Sequence, residues 1–413
     1  MTKKSITNIA KVGRSSANSH SKIVVMLTCQ YSEILGGAEK QCAALTQNLI
    51  EAGVNVVVVT SRVPGFKPRK EEKGVVRFWT YRPPQLAGRY LPASLLWALQ
   101  VLIWIAWNHR RVSVLHCHQL RINAYVAALA YQIFGIPTVM KLGVGGERND
   151  FNIISQKKYI VGRSGAKFVA RRSSAVVAIS SEIEKNCLEW GVPSERVLRI
   201  PNGVDVDQVE EIAVGRGNPR TEGFNNMVIL AYVGRLSDEK NVSQIVDAVS
   251  TLACKGSYRL ELLGDGPLLN SIAKSSASKR GQKIDCKGRV NNVFDHLQRM
   301  HFLLLVSSSE GLSNALLEAA CAGVVPILSD VSGNRDVVDF CDYPLFVAGT
   351  STEDIQVGLR AALSMSSYEW ERWSTKIADS ARKRYDSKAV RDRYLVLYEN
   401  LSGESYSKPA FYT

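Results

Sequence analysis

Nine short runs rich in Val, Ile and Leu constrain this chain more than any other feature. Five precede residue 200, at Ile23–Thr28, Val54–Thr60, Val112–Cys117, Ile136–Lys141 and Ala175–Ser180. Four follow residue 220, at Val228–Val233, Tyr258–Leu263, Phe302–Val306 and Val324–Leu328. Near-continuous hydrophobicity of this length is what a parallel strand covered on both faces requires. The segments between supply the covers. Cys42, Leu45 and Leu49 recur at helical spacing and the pattern stops at Gly53, as an amphipathic helix with a glycine end should. The same alternation starts twice, which predicts an α/β protein of two doubly wound parallel-sheet units. The expected division is a disordered basic tail over 1–21, a first domain over 22–205, a linker in the polar stretch 206–226, a second domain over 227–385, and a terminal segment over 386–413. One long helical pattern from about Tyr368 to Leu401, with no strand after it, reads as a tail helix packing back on the first domain.

Length and composition agree with two packed units. The chain has 413 residues, 46% apolar and 22% charged, which excludes a largely disordered chain and a polytopic membrane protein. Eight cysteines are scattered without a C-x-x-C pair and read as buried reduced thiols of a cytosolic protein. The first 21 residues carry no apolar run of the secretory kind. Charge is uneven: residues 1–200 hold 28 Lys and Arg against 11 Asp and Glu, net +17, while the remainder holds 24 against 27, net −3. Such an asymmetry points the first half toward a polyanion, either nucleic acid or an anionic membrane surface.

Two segments bear on that choice. Leu91–Trp107 is intensely apolar but, at about 17 residues with Pro92 and Gln100 inside it, falls short of the roughly 20 a membrane span needs. Trp97, Trp104 and Trp107 share a helical face with Gln100, between Arg89 and the basic cluster His109, Arg110 and Arg111. The segment fits a helix lying among lipid headgroups and equally a buried helix packed on the sheet. From Phe151 to Ser181 there is no acidic residue, and Arg163, Lys167 and Arg171 share one helical face. That face is either a solvated surface or a dock for anionic lipid or a diphosphate-bearing acceptor. Nucleic acid is disfavoured, because aromatic interleaving and a recognised binding motif are missing.

Chemistry concentrates in the second half. Val306–Cys321 reads as strand, polar turn and a helix beginning near Asn314 with Ser313 as its cap, and the free amides of such a start, with Gly311, make an anion site. Glu310 and Glu318 lie on the same approach and can accept hydrogen bonds from sugar hydroxyls. Gly234-Arg235 ends a strand and Lys240 follows, placing two cations where a strand meets a helix. Gly264-Asp265-Gly266-Pro267 and Gly288-Arg289-Val290 are further strand ends whose glycines let a ligand approach the backbone. Together they describe a crevice for a nucleotide diphosphate.

With these elements in order, the chain resembles retaining glycosyltransferases of family 4, glycosyl transferases group 1. The motifs are GGAE (Gly36–Glu39), HCH (His116–His118), IPNGVD (Ile200–Asp205), VGRLSDEKN (Val233–Asn241), LLGDGP (Leu262–Pro267), GRV (Gly288–Val290) and SSSEGLSNALLEA (Ser307–Ala319), over roughly residues 22–400. The resemblance implies a GT-B fold of two facing Rossmann-like domains, acceptor in the first and nucleotide sugar in the second, with a C-terminal helix crossing back. It implies that Arg235 and Lys240 neutralise the donor diphosphate as a leaving group, that Glu318 holds the ribose, and that Glu310 binds the donor sugar. The amides of Gly311, Leu312 and Ser313 would address sugar and phosphate, while Gly264, Gly266, Pro267, Gly288, Arg289 and Val290 bracket base and ribose. Gly36 and Gly37 would approach the phosphates, and His118 the sugar and acceptor. Front-face attack, assisted by the leaving phosphate oxygen, would need no protein nucleophile.

No cofactor or metal is expected. His116 and His118 have H-x-H spacing but the sequence nominates no further ligand, and Asp205-Val206-Asp207 has the Asp-x-Asp spacing of metal-dependent transferases yet lies in the NGVD turn. The turn EGLSN lacks the phenylalanine many members carry after the glycine, so the donor-sugar pocket would differ in shape. The expected partners are a nucleotide sugar, with UDP slightly favoured, a lipid-linked glycan acceptor and an anionic membrane surface, at the inner face of the plasma membrane. The alternative is a non-catalytic sugar-nucleotide or glycan-binding protein on the same scaffold. A dinucleotide-dependent oxidoreductase is disfavoured, since no G-x-G-x-x-G follows the first strand.

Overall fold

The computed structural model describes residues 22–31, 36–62, 74–79, 91–156, 161–214, 226–253, 257–277, 283–308, 310–340 and 342–406. The chain divides into two compact units: the first holds residues up to Ile179, Ile183–Ile200 and everything from Arg391, and the second holds Ser180–Glu182 and Pro201–Val390. The expected tail over 1–21, Arg89, and two of the eight cysteines, Cys254 and Cys341, lie outside the described residues.

The first unit is built on a parallel sheet of seven strands: β1 (Ile23–Leu27), β2 (Val56–Arg62), β3 (Val75–Trp79), β4 (Val112–His118), β5 (Thr138–Lys141), β6 (Ala175–Ala178) and β7 (Val197–Arg199). Their spatial order is β3-β2-β1-β4-β5-β6-β7. The second unit holds six: β8 (Val228–Val233), β9 (Tyr258–Leu263), β10 (Ile284–Gly288), β11 (Phe302–Leu305), β12 (Val325–Ser329) and β13 (Phe346–Val347), ordered β10-β9-β8-β11-β12-β13. Strand order reverses between β1 and β4 in one sheet and between β8 and β11 in the other. In open α/β sheets ligands bind outside the carboxyl ends of the strands at such a reversal.

β1, β4, β5, β6, β11 and β12 are buried at every position; β1, β6 and β11 are accordingly wholly apolar, while β4, β5 and β12 are apolar except for a few polar residues, among them His116, His118, Lys141 and Ser329 at their carboxyl ends. The strands that the apolar runs do not announce lie toward the sheet margins. β10 (Ile284-Asp285-Cys286-Lys287-Gly288) and β7 are largely half-exposed, so their residues have no need to be apolar.

Helix α1 (Gly37–Glu51) buries Cys42, Leu45 and Leu49 and stops before Gly53, which takes φ +88°, the left-handed conformation a helix end favours. Helices α2 (Leu91–Asn108), α3 (Ile122–Phe134) and α4 (Gly162–Arg171) follow, α3 touching both α2 and α4. No helix among the described residues is long and apolar enough to cross a membrane.

Two expectations change. The linker read over 206–226 begins as a helix, α5 (Val206–Val214), while residues 215–225 lie outside the described residues. The single long pattern near the C-terminus is two helices, Ser367–Tyr385 and Ser387–Ser402, broken at Asp386. Main-chain pairing causes the break: Val204 N donates to Tyr385 O at 2.7 Å and Ser387 N to Val204 O at 2.8 Å. A Cβ on Gly203 would fall 2.8 Å from Ser387 Cα, so the turn of IPNGVD needs a glycine to let this pairing form. From Arg391 onward the last helix belongs to the first unit, where Tyr394 and Tyr398 are fully buried.

Candidate active site

In the second unit the reversal point joins the two segments that carry the charged motif residues. After β8 the chain passes Gly234 and Arg235, then a single turn, Asp238–Lys240, closed by Asn241 at φ +51°. The Asn241 amide donates to Val306 O at 3.0 Å, tying this turn to the end of β11. Lys240 Nζ thereby reaches Glu310 Oε1 at 2.7 Å, and Ser307 Oγ donates to the same oxygen at 2.8 Å. Glu310 is buried and Lys240 about a third exposed, so the ammonium has one side on its carboxylate and one side open. The Arg235 side chain is exposed, and its carbonyl is held by the Tyr232 hydroxyl at 2.8 Å.

Next to this pair begins helix α6 (Asn314–Cys321), with the Ser313 hydroxyl accepting from Leu316 N at 3.4 Å. Gly311 and Leu312 lead into it, and Glu318 is buried on it. The amides of such a helix start favour negative charge. Asn202 Nδ2 donates to Asn314 Oδ1 at 2.9 Å, which brings the IPNGVD turn to the same helix.

Three strand ends form a glycine rim beside the reversal. Gly234 N donates to Leu263 O at 3.0 Å, and Gly264 N to Gly288 O at 2.8 Å. A Cβ at Gly264 would sit 1.8 Å from Gly234 O, and one at Gly266 would sit 2.3 Å from Leu236 O. Backbone approach this close excludes any side chain at either position. Pro267 and Arg289 are exposed and Val290 half-buried along this rim.

At the reversal of the first sheet, β4 ends in His116, Cys117 and His118, while Gly36 and Gly37 open α1 after β1; residues 32–35 of that loop lie outside the described residues. The two imidazoles stack with centroids 4.3 Å apart, and His116 Nδ1 meets Tyr398 Oη at 2.5 Å. His118 pairs in register with Lys141 of β5, so the two side chains share a sheet face. Burial, then the Lys141 charge, pushes His116 well below the usual imidazole range; burial, His116 and Lys141 do the same to His118. Both rings are therefore neutral at physiological pH. Burial also pulls Lys141 down to about 8.

The residues singled out in the sequence thus gather at the carboxyl edges of the two sheets, with Arg235, Lys240, Glu310, Glu318, Gly311, Leu312 and Ser313 in one group and Gly36, Gly37 and His118 in the other. Asp205 and Asp207 do not converge as a pair: Asp205 Oδ1 accepts from Gln208 N at 3.2 Å at the start of α5, and Asp207 pairs with Lys388. The tryptophan stripe needs correction. Trp97 and Trp104 are buried at 1% and 7%, because α2 turns its bulkiest side chains toward its neighbours, and Trp107 alone of the three is exposed. The outward apolar face is instead Leu95, Leu96, Leu99, Ile103 and Trp107. Arg163, Lys167 and Arg171 are all exposed on α4.

Sequence reasoning missed the supports. Ser307 N donates to Ser329 Oγ at 3.1 Å and Asn334 Nδ2 to Ser329 O at 2.9 Å, stitching the ends of β11 and β12 behind Glu310. A Cβ on Gly333 would lie 2.5 Å from Glu310 O, so that glycine lets the motif loop close down. A Gly-Asn pair just after a strand was the available signal.

Comparison with known proteins bears on both groups. Residues 36–203 match the family model "Glycosyl transferase 4-like domain", and residues 228–364 match "Glycosyl transferases group 1". The N-acetyl-alpha-D-glucosaminyl L-malate synthase of Bacillus anthracis is 23% identical over 326 residues, 78% of this chain and 82% of the relative. The UDP-Gal:alpha-D-GlcNAc-diphosphoundecaprenol alpha-1,3-galactosyltransferase of Escherichia coli is 23% identical over 237 residues, 55% of this chain and 60% of the relative. Among solved structures, Anabaena Alr3699/HepE in complex with UDP is similar with TM-score 0.72 and 17% identity over 92% of this chain and all of that one. Two family models that between them span most of the chain, on two parallel-sheet units, establish that it belongs to the glycosyl transferases group 1 family, glycosyltransferases of GT-B fold.

Proposed function

We propose that this glycosyltransferase moves a sugar, with retention of configuration, from a UDP-sugar to a lipid-linked or cell-surface polysaccharide acceptor at the cytoplasmic face of the membrane. The observation that carries the donor half is the meeting of Lys240 and Glu310, at 2.7 Å, at the reversal point of the second sheet beside the start of α6. Glycosyl transfer builds negative charge on the departing diphosphate. Fixed cations and helix-start amides aimed at that charge stabilise the transition state without reorganising. Arg235 and the open side of Lys240 meet the diphosphate, while Glu310 takes a hydroxyl of the donor sugar. The bond from the anomeric carbon to the β-phosphate oxygen breaks with its electron pair on that oxygen. The acceptor oxygen bonds to the anomeric carbon from the same face, and its proton passes to the departing phosphate. UDP in the HepE complex and a diphosphoundecaprenol-linked acceptor in the name of the Escherichia coli relative support the choice of donor and acceptor class.

The donor assignment is tested by thermal unfolding with UDP, GDP and ADP. A nucleotide at a hundred times its Kd stabilises the native state by about 2.7 kcal/mol, so UDP raises Tm by several degrees and more than the other two do. Equal indifference to all three would remove the donor reading.

The membrane half rests on a surface of the first unit. Leu95, Leu96, Leu99, Ile103 and Trp107 of α2 lie open, as do Leu129 and Ile133 on the adjoining α3, with Arg110 at the end of α2 and the α4 cations nearby. Apolar side chains rimmed by cations suit an anionic headgroup layer, where each basic residue adds about 1 kcal/mol. A Leu99→Glu/Ile103→Glu/Trp107→Glu protein keeps its fold, since all three side chains are exposed, and sediments with phosphatidylglycerol-containing vesicles at least about tenfold less well than the parent. A parent chain that stays in the supernatant at low salt would overturn this half.

A further inference from the structure

One buried polar cluster in the first unit, of which only His118 was expected near the sugar, is not accounted for by the donor chemistry. His116 and His118 each leave Nε2 without a hydrogen-bond partner, as does the Tyr394 hydroxyl, and all three atoms are closed to solvent. Lys141 lies among them, its ammonium 5.7 Å from the centre of the Tyr394 ring, while the rings of His116 and Tyr394 are 5.1 Å apart. His118 and Lys141 keep 4% and 6% of their surface, at the last residues of β4 and β5.

Native interiors satisfy nearly all such groups, and each exception costs about 1–3 kcal/mol. Here three occur within one cluster, beside a buried cation. Among the described residues, the titratable groups facing Lys141 are Cys42 from α1, His116 and His118 from β4, and Tyr394 from the last helix. None of these described groups is a carboxylate. The Asp150 carboxylate is taken up by the amides of Leu120, Gly143 and Val144 and by Arg121, and is not among the groups acting on Lys141. A buried ammonium with no anion beside it among the described residues bears a desolvation cost that an entering opposite charge would repay.

We propose that Lys141, with His116, His118 and Tyr394, forms a buried subsite that takes an anionic substituent of the acceptor, a phosphate or a carboxylate. The inference rests on the reading that the first unit receives the acceptor, and it adds a requirement that the acceptor carry negative charge near the hydroxyl that reacts. Lys141 supplies the charge. The two neutral imidazoles and the phenol supply hydrogen bonds, each satisfying an atom now without a partner.

The test uses the full chain carrying Arg235→Ala and Lys240→Ala, so that phosphate has no diphosphate site in the second unit. Thermal unfolding is followed at neutral pH and matched ionic strength in chloride, inorganic phosphate and glucuronate. At least one of the two anions raises Tm by about 2–4 °C over chloride, and adding Lys141→Met abolishes that rise. A response to phosphate alone assigns a phosphorylated acceptor, and one to glucuronate alone an acidic sugar. Should Lys141→Met fail to fold, carbon-13 NMR titration of the lysine side chains in that same Arg235→Ala/Lys240→Ala chain gives the same answer. The Lys141 pKa, about 8 in chloride, climbs by about one unit in the anion that binds. Melting and titration unmoved by both anions would overturn the subsite. The UDP response of the parent chain is read in parallel, so a failed donor site and a failed anion subsite give different results.

Discussion

Replacing Arg235 and Lys240 together by alanine lowers the turnover number at least about a thousandfold, since removing one preorganised donor from a developing oxyanion commonly costs 10²–10³. Both side chains reach solvent, Arg235 as an exposed residue and Lys240 by about a third, so the variant stays folded. Because Glu310 is buried and loses its cation, the expected stability change is about 1–3 kcal/mol, which the melting curve reads directly. Glu310 keeps its bond from Ser307 in the variant and is not left without a donor. Single-turnover kinetics alongside a melting curve separate the two effects. Sugar transfer within tenfold of the parent, in a folded variant, would show that the diphosphate is held elsewhere.

That prediction depends on residues legible in the sequence, and the reason is geometric. Strand ends at a reversal point are short loops whose glycines and charges sit within a few residues of an apolar run, so run and motif locate each other. Gly234, Gly264 and Glu310 could be placed this way without coordinates. The pairing of Lys240 with Glu310 could not, because it bridges 70 positions of sequence and depends on Asn241 adopting a positive φ. The direction in which α2 faces was equally hidden. Its apolar residues run nearly all round, so periodicity alone could not say that Trp97 faces inward and Leu99 outward. β10 escaped because a marginal strand with polar residues carries no apolar signature.

The two sheets use their reversal points differently. In the second unit the reversal is charged, with a carboxylate already paired to its cation and a helix start beside it. In the first unit the reversal is lined by neutral imidazoles and one lysine, under the aromatic residues of the last helix. Tyr394 and Tyr398 cover His116 from a helix about 280 residues later in the chain, so the shape of this cluster depends on the C-terminal segment. Truncation before Arg391 would strip that cover and open the core of the first unit to water.

Asp150 should be the most sensitive structural position of the first unit. Its carboxylate is fully buried and accepts from Gly143 N at 2.8 Å, Val144 N at 3.0 Å and Leu120 N at 3.4 Å, and pairs with Arg121 at 3.1 Å. These donors come from the loops after β4 and β5, the same loops that follow His118 and Lys141. One side chain therefore fixes both strand ends of the cluster. Asp150→Ala leaves several inward-facing amides without an acceptor and Arg121 without its anion, a loss of about 3–5 kcal/mol. The melting transition of the first unit falls by roughly 6–15 °C. Asp150→Asn retains one acceptor oxygen and costs about 1–3 kcal/mol, placing it between the parent and alanine. Because neither variant touches the second unit, UDP binding measured at low temperature stays at the parent value. If Asp150→Ala melted within a degree of the parent, the two loops would owe their conformation to their own glycines rather than to this carboxylate.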